Sequence, residues 1–352
     1  MKALIILFIT SVFFFSCKKN NTPEPVTEAL NICGYVVNHA ANIGYACYWK
    51  NGVATPLTST TAIGSDARAE DMVVYNNDVH IVGTEEQPTG LGVGRYWKNG
   101  VMQTIADGPT LNSVVCNAIA VNVNGVHIAF NEVTAAGKQL PKYWKDGVVT
   151  TLMLSGSVPD VSLSDIATSG NDVYILGVQK TSPVLRDAIL WKNGSATIIP
   201  LANNNSASNF YIAVQNNDVY IVTTEYAPAT SLSRIMYYKN NDAPVAITST
   251  KNAVVKEITV GNNGDVYIAG FQLNANNTFE ACYWKNGTKV IVSNTINLDA
   301  ELQSIFIKNT DIYACGTTLV NATPTITYWK NGTASVLNSG SLSSYPKKII
   351  VN

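Results

Sequence analysis

The sequence predicts an all-β chain: a seven-bladed β-propeller with four antiparallel strands per blade, its ring closed by a C-terminal strand that joins the N-terminal blade. Three observations carry this prediction. One short phrase recurs seven times at nearly constant spacing, each repeat holds four short strand-like runs separated by turn residues, and the two chain ends complement each other.

The phrase Tyr-Trp-Lys-Asn-Gly stands at 48–52, 96–100, 283–287 and 328–332, with variants at three further places. Its second aromatic is Trp49, Trp97, Trp144, Trp191, Tyr238, Trp284 and Trp329, at intervals of 48, 47, 47, 47, 46 and 45 residues. All six tryptophans fall in this slot. A period of this length is the signature of a repeat architecture and suits a four-stranded blade.

Within a unit the strands follow in a fixed order. Strand a is a short apolar run, as at 72–74, 119–121, 212–214 and 305–307. Strand b carries a phrase of the type Asn-Asp-Val-Tyr-Ile-Leu-Gly, from Asn77, Asn124, Asn171, Asn217, Gly264 and Thr310. Strand c ends in the aromatic pair, and strand d follows the Asn-Gly. That dipeptide, Asp146-Gly147 in the third unit, is the strongest short signal for a two-residue hairpin with positive φ at both positions. Short Asn, Asp and Gly runs between a and b predict a second tight turn. No segment shows a helical period, so each unit reads as an antiparallel meander.

The ends fit a ring. The chain enters its first unit at strand b (30–37) and stops after a strand a (347–352), so what the first unit lacks the last supplies. Residues 31–352 are 322 positions, seven times 46. A solenoid would want capping repeats, whereas a closed ring wants this overlap. With these repeats in view, the chain resembles bacterial extracellular propeller repeats of the HAF kind, whose units carry an aromatic-Trp-x-Asn-Gly phrase before a short strand. The resemblance covers 31–352, implies a fold, and brings no catalytic motif. The His-Ala-Phe lead-in of that pattern is replaced here, for example by Ala-Cys-Tyr at 46–48.

Residues 1–17 read as a lipoprotein signal peptide: Lys2, an apolar stretch from Ala3 to Phe15, then Ser16 and Cys17. The small residue before Cys17 resembles a lipobox, with Phe14 in place of the usual aliphatic residue. Lipidation at Cys17 would hold the protein to a membrane. Residues 18–30, polar and with two prolines, form the expected tether, and 31–352 the propeller domain. The localisation expected from this is an exported, lipid-anchored protein of the bacterial envelope. The 23 basic and 24 acidic residues are scattered, which removes the electrostatic case for nucleic acid. Five cysteines remain in the body, and their repeat-equivalents Val82, Ala129, Leu176 and Ala269 mark the slot as small and apolar. Cys33 and Cys47, on neighbouring strands, form the one pair worth testing for a disulfide.

The two faces of the disc take different roles. Tight a–b and c–d turns share a bottom face, where the tether enters. Longer b–c and d–a loops share the top, the side on which variable loops on a rigid scaffold bind ligands. The phrase lysine occurs in all seven units, on the bottom, where Asp78, Asp172, Asp218, Asp265 and Asp311 should largely neutralise it. On top, the residue before the strand a core reads Asp71, Ala118, Asp165, Tyr211, Glu257, Ser304 and Lys348 around the ring, beside the loop residues Arg68, Glu70, Asn117, Asn209 and Gln303. Arg68, Asp71, Asp165, Tyr211, Glu257 and Lys348 are therefore the candidate ligand residues at the channel mouth. Its alternate carboxylates are hard oxygen donors of the type a structural cation uses; no other cofactor is expected.

Catalytic patterns are missing. His80 and His127 fill a strand b slot that is tyrosine in four other blades, His39 has no suitably spaced partner, and there is no nucleophile elbow. The expected function is non-catalytic: an outward-facing propeller that binds a glycan, small molecule or protein through its top loops. The alternatives are a structural part of an envelope assembly, or a glycoside hydrolase or lyase using the mouth carboxylates.

Overall fold

At the c–d connection, Asn51, Asn99, Asp146, Asn193, Asn286 and Asn331 adopt φ of 45–51°, and the glycine after each adopts 82–100°. Left-handed conformations at both positions give the turn that matches the right-handed twist of the strands it joins. The hairpins expected from Asn-Gly are therefore present, in the computed structural model of the chain. It describes residues 28–352 apart from 65, 107–111, 181–185, 203–205, 228–229, 241, 249, 294–298 and 338–339. Cys17, the signal peptide and the tether up to residue 27 lie outside the described residues.

Seven sheets of four antiparallel strands form the ring. Blade 1 joins the two ends: β28 (Ser343–Val351) pairs with β1 (Leu30–Asn38), which pairs with β2 (Ile43–Lys50) and through it with β3 (Val53–Pro56). The closure extends one step further, since the Ala29 and Asn352 backbones exchange hydrogen bonds of 2.9 and 3.1 Å. Buried Asn31 locks it by donating Nδ2 to the Ile350 carbonyl (3.2 Å) and to Asn352 Oδ1 (2.7 Å), while Tyr48 donates its hydroxyl to Asn31 Oδ1. Blades 2 to 7 occupy 67–106, 113–151, 161–199, 206–246, 253–291 and 300–337.

The core lies between blades. Successive residues of a strand face opposite sides of its sheet, so the two residues that open each phrase, both aromatic except for Leu190-Trp191 in blade 4, serve different interfaces. Tyr48 of blade 1 packs in one cluster with Trp97 of blade 2, Tyr96 with Trp144, Tyr143 with Trp191, and so on around to Tyr328 of blade 7 with Trp49 of blade 1. In blade 5 the slot holds Tyr238, whose hydroxyl donates to fully buried Glu225 and accepts the Ala202 N–H at 2.9 Å. Cys33, Cys47, Cys116, Cys282 and Cys315 are buried free thiols. The Cys33–Cys47 disulfide is not formed, because Cys33 pairs with Tyr48 and Cys47 with Gly34. That one-residue offset points Cys33 at blade 2 and Cys47 at blade 7.

Each innermost strand also carries a bulge that the repeat pattern did not announce. Pairing with strand b slips between Ala69 and Asp71, Cys116 and Ala118, Leu163 and Asp165, Val255 and Glu257, Leu302 and Ser304, with similar slips in blades 1 and 5. The strand b glycine answers it in four blades. A Cβ on Gly34, Gly83, Gly270 or Gly316 would stand about 2.0 Å or less from a strand a carbonyl oxygen. Phe130 and Thr223 occupy the same place in blades 3 and 5, so the close approach belongs to those four blades rather than to the fold. Gly270→Ala is expected to lower stability by about 2 kcal/mol, read as a shift of the urea midpoint at unchanged m-value.

Candidate functional site

The bottom face is built by repetition, and among the described residues five of its seven phrase lysines are paired. Lys98, Lys192, Lys239, Lys285 and Lys330 pair with Asp78, Asp172, Asp218, Asp265 and Asp311 of the a–b turns at 2.7 to 3.2 Å. The asparagine of each phrase closes the clasp. Asn99 donates Nδ2 to Asp78 and accepts the Val79 N–H, and the same two bonds recur at Asn193, Asn240, Asn286 and Asn331. Lys285 first, then Asn286 and Asn263, hold the Asp265 carboxyl down to about 2. Blade 3 varies both halves together: Asp146 replaces the asparagine and Gly125 the aspartate. A Cβ on Gly125 would lie 1.9 Å from Asp146 Oδ2, and a second carboxylate there would face the first. Phrase and strand b repeat in step because they form one clasp.

The top face departs from repetition. Asp71, Asp165, Tyr211, Glu257 and Lys348 do meet at the channel mouth. The bulge adds a second set, so that Glu70, Asn117, Ser164, Lys256, Gln303 and Lys347 line the same space. Arg68 is not among them. It lies toward the rim, paired with Asp66 at 2.7 Å and over the Tyr35 ring at 4.9 Å. It precedes the bulge, so counting from the strand core misplaces it.

The alternation of carboxylates has a structural reason. Asp71 accepts the N–H of Met72 on its own strand (2.8 Å) and, with its other oxygen, that of Ile119 on the next blade (2.9 Å). Asp165 does the same for Ile166 (2.8 Å) and Ile212 (2.9 Å). Glu257 accepts from Ile305 on blade 7 (2.7 Å), and Ser304 from Ile349 on blade 1 (3.1 Å). One carboxylate with two oxygens serves two strands, so Ala118 between Asp71 and Asp165 needs no polar group.

Lys348 supplies the positive charge. Its ammonium donates to Glu257 and stands 3.7 Å from Asp71. Burial opposes its charge, but Glu257, Asp71 and Asp165 outweigh burial and hold it above the ordinary lysine range. Burial raises Asp71, and raises Asp165 to about 7, with Lys348 pulling both back. The space left at the mouth is about 60 Å³, room for a few waters and not for a sugar ring. Among the described residues no group of three or more His, Cys, Asp or Glu side chains is arranged to hold a metal ion.

A larger hollow adjoins the mouth. A groove of about 440 Å³ runs over blade 7, between Lys256 of blade 6 and Tyr35 and Tyr345 of blade 1. Tyr35 and Tyr345 stack at 4.9 Å, and Glu301, Gln303 and Thr317 lie between the walls. Of these only Gln303 was singled out from the sequence, although a signal for the tyrosine wall was present. The residue after the strand b glycine slot reads Tyr35, Thr84, Asn131, Val178, Thr224, Phe271 and Thr317 around the ring. Thr84, Asn131 and Thr224 accept N–H groups of the next blade's strand a. The aromatic departures in blades 1 and 6 flank the groove, with Lys256 over the Phe271 ring at 5.6 Å.

The histidines do structural work. His80 and His127 pair through Nδ1 with the hydroxyls of Tyr96 and Tyr143 at 2.6 Å, and burial lowers the pKa of both. His39 Nε2 contacts Ser343 Oγ at 3.1 Å.

No family model matches the chain, and no curated protein matches it. Solved structures do. One of the prolyl endopeptidases aligns with 92% of this chain and 49% of its own at TM-score 0.56 and 9% identity. A Mycobacterium tuberculosis puromycin-hydrolysing peptidase aligns with 77% and 53% at TM-score 0.41 and 9% identity. The polysaccharide lyase Uly1 aligns with 76% and 80% at TM-score 0.49 and 12% identity. The chain spans about half the length of the two peptidases. At such identities the likeness is one of fold, a propeller, and carries no activity across.

Proposed function

We propose that this is a non-catalytic, exported lipoprotein that presents a propeller for binding a glycan, small molecule or protein through its top-face loops. Cys17 carries the anchor in this reading, and the tether leads to the bottom face, which then faces the membrane. The likeness of the YWKNG phrase to HAF-kind extracellular repeats fits the same reading. The entry point supports the orientation: Glu28 meets the Tyr313 hydroxyl and Lys330 on the bottom of blade 7.

The observation that carries the proposal is the groove over blade 7, where repetition is broken by a tyrosine stack and by Lys256. Apolar walls with a few convergent polar groups are the usual form of a ligand site. The mouth carboxylates support the non-catalytic part, because Asp71 and Asp165 spend both oxygens on backbone N–H groups and Glu257 is shared between Ile305 and Lys348.

The test is a thermal-shift screen of the full-length chain against panels of glycans, small polar molecules and calcium, repeated with Tyr345→Ala. A stabilising ligand whose effect is lost in Tyr345→Ala is the expected result. A ligand that stabilises wild type and the variants Tyr345→Ala and Lys256→Gln equally would place binding elsewhere. Cleavage of any panel glycan, read as new reducing ends or unsaturated products, would overturn the non-catalytic reading.

A further inference from the structure

We propose that the groove over blade 7 is a subsite for an acidic saccharide, whose ring packs on the Tyr35–Tyr345 wall while its anionic group is met by the ammonium of Lys256. This inference rests on the reading of the top face as a binding surface.

The charges in and beside the groove are not equivalent. Lys347 is already tied to Glu70 at 2.7 Å, and Arg68 at the rim to Asp66. Asp299 accepts the Phe279 N–H at 2.7 Å, and Glu301 accepts the Gln303 amide at 3.1 Å. Lys256 differs: among the described residues its ammonium has neither a hydrogen bond nor an ion pair, and only the Phe271 ring beneath it. Burial lowers its pKa, Glu301 partly restores it, and Lys347 lowers it further. Holding a half-enclosed cation with no bonded partner beside the like charge of Lys347 is costly unless a ligand completes it. An ammonium offers three donors and no acceptor, so the completing group is an acceptor, and one with negative charge gains most.

The aromatic wall decides the rest of the ligand. Tyr35 and Tyr345 stack on each other at the blade 1 side of the groove with Arg68 over the Tyr35 ring, so the aromatic face left for a sugar is that of Tyr345, and Gln303 and Glu301 add an amide and a carboxylate between the walls. A sugar ring has the apolar face for the first and hydroxyls for the second. At about 440 Å³ the groove takes one to two such rings. The neighbouring mouth is too small for a ring, which places the saccharide over blade 7 rather than on the axis.

The test uses the full-length chain and three probes: a galacturonate trimer, its fully methyl-esterified form, and a sulfated chondroitin tetrasaccharide. Calorimetry should show an acidic probe binding at least about tenfold tighter than the ester, with affinity falling as salt rises. Lys256→Gln should reduce that preference to less than about twofold, and Lys256→Arg should retain most of it. Lys347→Gln should cost less than Lys256→Gln, since its ammonium already has Glu70. Preference for the galacturonate assigns the contact to a carboxylate; the chondroitin probe carries both carboxylates and sulfates, so a preference for it assigns the contact to sulfate only if the desulfated tetrasaccharide binds more weakly. Equal binding of acid and ester, lost in Tyr345→Ala, would overturn the role of Lys256 and leave the top-face reading standing. Binding unchanged in every groove variant would overturn both, and no binding of any probe would overturn the saccharide assignment alone.

Discussion

Lys348→Met is expected to destabilise the propeller by about 3 kcal/mol at pH 8 and by much less at pH 5. Removing one partner of a buried ion pair typically costs 3–5 kcal/mol, because it strands the other charge. The lower end applies here, since the Lys348 side chain is 29% exposed against 9% for Glu257. In the wild type one ammonium balances three carboxylates, of which Asp71 and Glu257 are less than a tenth exposed. The pH dependence follows from the raised pKa values of Asp71 and Asp165. A carboxyl whose folded pKa lies above its unfolded value of about 3.9 binds protons more tightly when folded. Its contribution is therefore most favourable at low pH and is lost as pH rises through the window ending near 7 for Asp165. Without Lys348 the window should widen upward, so acid should rescue the variant. Asp165→Asn in the Lys348→Met background should recover part of the loss at pH 8. Urea unfolding of the wild type, Lys348→Met, Asp165→Asn and the double variant at both pH values checks this. A defect of equal size at pH 5 and pH 8 would mean that the mouth charges do not act on one another.

The same cluster shows how far the sequence could be read. Asp71, Asp165, Tyr211, Glu257 and Lys348 were placed correctly, because each precedes the apolar core of a strand and the seven copies give that position in register. The bulge was not legible. It adds one residue to a strand without changing the repeat length, and it is why Lys256 and Lys347 also reach the mouth, beside Glu70 and Gln303 that the sequence placed next to it, while Arg68 does not. Asp71 and Glu257 looked like ligands for a cation because a carboxylate's partners are invisible in one dimension. Their partners prove to be backbone N–H groups, one of them on the next blade in each case, and for Glu257 also the Lys348 ammonium. Tyr35 and Phe271 could have been found by asking which blades break the Thr or Asn pattern after strand b. That the ammonium of Lys256 lacks a bonded partner among the described residues is a fact of three dimensions, and no repeat alignment contains it.

Trp191→Ala should cost about 3–5 kcal/mol. The indole is fully buried between blades 3 and 4, packed with Leu163, Ile175 and Ile189, and donates Nε1 to the Met153 carbonyl at 2.8 Å. A truncation at such a site is usually softened when the surroundings collapse into the space. Here blade 4 is held by a ring whose closure depends on β28 pairing with β1, so no blade can shift sideways without loading the other interfaces. The comparison with Trp97 separates packing from hydrogen bonding. Trp97 is as deeply buried, but among the described residues its Nε1 has no partner. Trp97→Phe therefore loses area alone and relieves an unpaired donor, whereas Trp191→Phe also leaves the Met153 carbonyl without its donor. The expected order of stability loss in thermal and urea unfolding is Trp191→Ala above Trp191→Phe above Trp97→Phe. A cost near 1 kcal/mol for Trp191→Ala would show that the ring relaxes around the cavity, and that the aromatic slots fill the seams without fixing the spacing of the blades.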